Sequence, residues 1–216
     1  MFLQNAISKR INDNNPVKVA LIGAGKFGSM FLSQVPSTLG IEVLVIADLK
    51  PDNAVKACKN VGWSDDLINK TKFVDRGTDA IKLNEVEVVI EATGFPAAGI
   101  EHARQAFQNG KHIIMVNVEA DVLAGAALVK EANSAGVVYS MAYGDQPALT
   151  AEIVEWARAS GFNVTCAGKG TRYQPIYHKS SPDTVWDYYG LTHEEAKKAG
   201  MNPKTVSYTH LTLPTT

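Results

Sequence analysis

Three glycines and one acid are the first residues in this chain whose spacing could do chemistry. Gly23, Gly25 and Gly28 form a Gly-x-Gly-x-x-Gly turn that also holds Lys26 and Phe27, and Asp48 lies twenty residues beyond the last glycine. In such a turn the first glycine allows a tight reversal, the second lets backbone approach a pyrophosphate, and the third lets a helix lie close on a strand. Phosphates then meet the unpaired N–H groups and positive dipole end of that helix. An acid at the position of Asp48 accepts hydrogen bonds from both hydroxyls of an adenosine ribose. The pattern therefore points to a bound dinucleotide, NAD(P), and so to hydride transfer. Asp48 repels a 2′-phosphate and favours NAD, whereas Lys50 could offset it; the residues leave NAD and NADP both open.

A second set of polar residues follows the later apolar runs. Thr93 and Gly94 end the run Val86–Ala92, and Asn117 ends the run Lys111–Val116, which puts all three at the ligand-binding edge beside the cofactor. Hydride transfer also needs a proton donor and a group that polarises the oxygen. Lys169, between Gly168 and Gly170, is the first candidate for a cation that orients a phosphate or carbonyl oxygen, against a plain solvated lysine. Glu119 suits a general acid or a ligand for a hard divalent cation, Mg or Mn; no residue is assigned as a metal ligand. Asp121 and Asp145 read better as helix caps. His178 is a weaker candidate for a proton donor.

The elements that must position these residues alternate. Val17–Ile22 and Glu42–Ala47 read as strands buried on both faces, and Ser29–Val35 has helical spacing until Pro36. Residues 2–13 form a short leading helix, which packs on the sheet or on a partner subunit. Pro51–Val61 forms a helix that Gly62 ends. Residues 63–84 are the least legible, with a short strand at Lys72–Val74. Further strands cover 86–94, 111–117 and 137–142, and helices follow from Pro96 to Phe107, from Leu123 to Ala135, and from Gly144 to Ser160. Such alternation means a parallel sheet with right-handed crossovers, a doubly wound Rossmann-type α/β domain over residues 1–160. A second unit, 161–205, begins with a strand at Phe162–Ala167. A loop with Tyr177, Trp186, Tyr188 and Tyr189 follows, then a capping box at Thr192–Glu195.

Composition sets bounds. With 216 residues, 45% hydrophobic and 20% charged, the chain is an ordinary globular protein. A net charge of −1 leaves no basic excess for nucleic acid. No run approaches the length of a membrane span, and the start lacks a signal-peptide pattern, so a cytoplasmic setting is expected. Cys58 and Cys166, far apart, read as reduced thiols.

Several motifs together carry a family resemblance. Gly-Ala-Gly-Lys-Phe-Gly-Ser-Met at 23–30, Glu-Ala-Thr-Gly at 91–94, Gly-Lys-His at 110–112, Asn-Val-Glu-Ala-Asp at 117–121, Gly-Asp-Gln-Pro at 144–147 and Ala-Gly-Lys-Gly-Thr at 167–171 resemble homoserine-dehydrogenase-like oxidoreductases. Within these, the chain is most similar to the DXR-like (DRL) branch, whose members often carry a C-terminal SAF domain. The resemblance covers about 10–205 of the sequence. It implies an NADPH-linked enzyme acting on a small-molecule substrate, in some members a reductoisomerase on 1-deoxy-D-xylulose 5-phosphate in isoprenoid precursor synthesis. It also implies a homo-oligomeric parent, of which this chain holds the N-terminal part. Val118 stands where homoserine dehydrogenases have lysine, which argues against homoserine as substrate. A non-catalytic dinucleotide-binding fragment is the other reading. The last eleven residues, 206–216, resemble a translated sequencing adapter and are set apart from the fold.

Overall fold

The computed structural model describes residues 2–143, 146–168, 175–198 and 201–206. It divides into two compact units, 1–164 and 165–216.

The first unit follows the expected alternation. Helix α1 (Phe2–Asn12) leads into β1 (Val17–Ile22), α2 (Lys26–Gln34), β2 (Ile41–Ala47), α3 (Pro51–Asn60), α4 (Asp65–Lys70), β3 (Lys72–Val74) and α5 (Gly77–Ile81). Then come β4 (Val88–Glu91), α6 (Pro96–Gln108), β5 (His112–Met115), α7 (Val118–Ala135), β6 (Tyr139–Met141) and α8 (Gln146–Ala159). The six strands form one sheet in the order β3-β2-β1-β4-β5-β6, and every pairing is parallel. Strand order reverses between β1 and β4. Their carboxyl ends diverge there into connections on opposite faces, which opens a crevice.

Two apolar layers hold the sheet. One face buries Ala20, Ile22, Val45, Val89, Ile113 and Met115 with Ala103, Phe107 and Leu128 of the helices. The other buries Val19, Leu21, Val43, Ile46 and Ile90 with Leu32, Cys58, Trp63 and Ile68. Burial on both faces explains why these strands read as continuous apolar runs. Cys58 is a buried free thiol, and burial pushes its pKa up to about 11, so it stays protonated and inert. Helix α1 packs on this unit: Ile7 and Ile11 lie against Gly40, and Arg10 pairs with Glu87 at 2.6 Å.

Several boundaries differ from expectation. Helix α2 begins at Lys26, inside the glycine turn, and α7 begins at Val118 rather than Leu123. The strand expected at Phe162–Ala167 is absent; residues 162–168 are irregular and Phe162 is exposed. Phe162, Val164 and Cys166 alternate as a strand would, but among the described residues no strand pairs with them, and a strand without a neighbour has unsatisfied backbone.

The second unit contains a 3₁₀ turn (Pro175–Lys179), α9 (Val185–Tyr189), α10 (His193–Lys198) and α11 (Pro203–Val206). Its core is Val185, Trp186, Ala196 and Val206, so Val206 belongs to the fold rather than to the tail expected to start there. The aromatic residues of the expected loop pack on one another, Tyr177 with Tyr188 and Trp186 with Tyr189. The capping box is formed: Glu195 N–H donates to Thr192 Oγ1 at 3.2 Å, and Thr192 N–H to Glu195 Oε2 at 2.8 Å. Among the described residues, no helix is long and apolar enough to cross a membrane.

Candidate functional site

The crevice at the strand reversal is built from the glycine turn upward. Gly23 has φ +97°, and a Cβ there would meet Ala92 O at 2.8 Å, so the β1 and β4 ends touch through backbone alone. A Cβ on Gly28 would lie 2.2 Å from Gly23 O; only hydrogen lets α2 start so close to the strand. Gly25 has open space on its Cβ side, as an approaching phosphate requires. Helix α2 has no side-chain cap and no acid in its first turn. Its first N–H groups and its dipole therefore remain available to an anion. Lys26 and Phe27 are exposed in that first turn.

Asp48 is fixed against this turn. Its Oδ2 accepts from Ala24 N–H at 3.1 Å and its Oδ1 from Lys50 N–H at 3.0 Å. Each oxygen keeps a further lone pair for a ligand hydroxyl. Asp48, Gly23 and Gly25 line a cavity of about 520 Å³ with Ile22, Ala47 and Leu49, with Asp75, Arg76, Gly77 and Thr78 after β3, and with Ala92, Thr93, Phe95, Ala98, Glu101 and His102. Apolar atoms make up most of the pocket wall, with charged side chains from Asp48, Asp75, Arg76 and Glu101 among its lining. Gly94, at φ +68°, completes the turn after β4.

A polar network stands behind the β4 turn. Glu91 is fully buried; its Oε1 accepts from Thr93 Oγ1 at 2.5 Å and lies 3.3 Å from His102 Nδ1, while its Oε2 has no partner among the described residues. Asn117 continues the chain, donating from Nδ2 to Thr93 Oγ1 at 3.3 Å and to Phe95 O at 3.0 Å, and accepting at Oδ1 from Ala120 N–H at 3.1 Å. Asn117 is therefore buried, caps α7 and holds the Thr93 turn, and it does not line the cavity. Sequence reasoning gave Asp121 the cap. Instead Asp121 accepts from Tyr139 O–H at 2.7 Å. Burial, then this bond and the acid's charge, push the Tyr139 phenol well above its ordinary range, keeping it a donor.

Of the catalytic candidates, Glu119 belongs to the first unit and His178 to the second. Glu119 is exposed on α7, and among the described residues no three His, Cys, Asp or Glu side chains could share a metal ion. His178 is exposed in the second unit. Lys169 and Asp145 lie outside the described residues. Glu91, His102 and Arg76 are the residues that sequence reasoning missed; an acid closing an apolar strand was the signal for the first.

Comparison with known proteins agrees with this geometry. Residues 23–142 match the family described as homoserine dehydrogenase, NAD binding domain, and 144–210 match oxidoreductase DRL, catalytic domain. No curated protein matches the chain. Among solved structures it is similar to myo-inositol dehydrogenase from Lactobacillus casei in complex with NAD(H) and myo-inositol, at 17% identity and a TM-score of 0.53, covering 68% of this chain and 42% of that one. It is also similar to a 3-ketoreductase from Actinomadura kijaniata in complex with TDP-benzene and NADP, at 17% identity and a TM-score of 0.50, covering 66% and 43%. An NAD binding oxidoreductase from Klebsiella pneumoniae gives 17% identity and a TM-score of 0.50, covering 68% and 39%. These likenesses concern the fold, and the chain spans about two fifths of the length of the structures it matches. With the family match over more than half its length, the chain belongs to the homoserine dehydrogenase NAD-binding domain family, joined to a DRL catalytic-domain region.

Proposed function

We propose that the chain is the cofactor-binding part of an NAD(P)-dependent oxidoreductase of the DRL type, acting on a small oxygenated metabolite in a homo-oligomeric, cytoplasmic parent. The observation that carries this reading is one cavity at the strand reversal that contains both Asp48 and the open face of Gly25. Bound there, a dinucleotide would supply or take the hydride. The chain's residues do the rest of the binding. Asp48 accepts the ribose hydroxyls, the α2 N-terminus takes the pyrophosphate, and the Thr93–Gly94 turn, braced by Glu91 and Asn117, borders the route toward the nicotinamide. Lys169 and His178 stay candidates for orienting the substrate oxygen and donating its proton, and Glu119 for general acid work. Reductoisomerase action on 1-deoxy-D-xylulose 5-phosphate rests on the resemblance alone. Val118 at the start of α7 still argues against homoserine.

The test is NADH titration of the full chain by fluorescence. Saturable binding is expected. Asp48→Ala should weaken it by roughly tenfold to a hundredfold, since a hydrogen bond to a charged group contributes about 1.5–3 kcal/mol. A folded chain, shown by circular dichroism, that binds no dinucleotide would overturn the reading.

A further inference from the structure

The cavity carries a cation that the glycine pattern does not require. Arg76 lines it together with Asp48 and Asp75. Among the described residues, however, the Arg76 guanidinium has no ion pair and no side-chain hydrogen bond. Strand pairing explains its place. Ala47 of β2 is in register with Val74 of β3, and Asp48 N–H donates to Val74 O at 3.0 Å, so the two chain segments leave the sheet side by side. Asp75 and Arg76 follow Val74 directly, and both line the cavity with Asp48. Lys50, the cation first considered for offsetting Asp48, is exposed and does not line the cavity.

Charge decides what such a pair can hold. Asp48 alone accepts two ribose hydroxyls and repels a phosphate on the 2′ oxygen. A guanidinium lining the same cavity offers that phosphate two parallel N–H donors, a geometry that an ammonium does not offer. Resting on the cofactor reading above, we propose that Arg76 is the specificity-determining residue of the cavity and makes it accept the 2′-phosphorylated dinucleotide alongside the unphosphorylated one.

The experiment titrates the full chain with NADH and NADPH by fluorescence and uses 2′,5′-ADP and 5′-AMP as competitors. The wild-type chain is expected to bind both dinucleotides. Arg76→Gln should weaken NADPH and 2′,5′-ADP by roughly tenfold to a hundredfold and leave NADH and 5′-AMP within about threefold. Arg76→Lys should fall between, because the charge remains and the fork is lost. Arg76 is exposed, so these variants should fold as the wild type does. An unchanged NADPH-to-NADH ratio in Arg76→Gln, or wild-type binding of NADH without NADPH, overturns the proposal and leaves the dinucleotide site standing. Failure of the folded chain to bind either dinucleotide overturns both.

Discussion

Gly28→Ala should cost the first unit about 3 kcal/mol, a fall in melting temperature of roughly 6–12 °C. The added Cβ would lie 2.2 Å from Gly23 O and 3.2 Å from Gly23 C, both backbone atoms at the tightest point of the turn. A flexible side chain could swing away from such a clash. Here α2 must slide off the strand, and Leu32 leaves its buried layer with it. Gly25→Ala supplies the contrast within the same turn. Its Cβ meets nothing within 4 Å and its φ of −71° suits alanine, so thermal unfolding should stay near that of the wild type. The methyl group would instead occupy the phosphate's approach, and NADH affinity should fall by roughly tenfold or more. Unfolding followed by calorimetry and binding by fluorescence separate the two outcomes. Equal melting temperatures for the two variants would show that the turn is not packed as described.

The contrast shows why this part of the chain was readable. Glycine spacing, two apolar runs and Asp48 are local signals, and β1, α2 and β2 form close to where those signals put them. Residues 63–84 gave little because their elements are short: α4 has six residues, β3 three and α5 five, too few for a helical period to repeat. Arg76 sits in that stretch, and only parallel pairing of β2 with β3 brings it to the cavity that Asp48 lines. Asn117 shows the converse. Its place at a strand end suggested cofactor contact, yet its amide is divided among Ala120, Thr93 and Phe95, none of them adjacent in sequence. Phe162–Ala167 had strand-like alternation, but whether a strand forms depends on a neighbour that a linear pattern cannot reveal.

Glu91 offers the second large effect, and it tests whether the β4 turn is held by charge or by shape. Glu91→Ala should destabilise the first unit by about 3–5 kcal/mol, because Thr93 Oγ1 and His102 Nδ1 both lose their buried partner and a void is left behind. Cofactor affinity should fall as well, since the Thr93 turn lies against Gly23 through Ala92. Glu91→Gln separates the contributions. The amide keeps an oxygen where Oε1 accepts and puts its NH₂ where Oε2 now lies without a partner among the described residues. It also takes the acid function away from a fully buried position. Glutamine keeps the shape of the side chain and an acceptor for Thr93, so Glu91→Gln should remain within about 1 kcal/mol of the wild type in chemical denaturation. If instead it matches Glu91→Ala, the carboxylate's charge, and with it an ion pair to His102, is what anchors the turn.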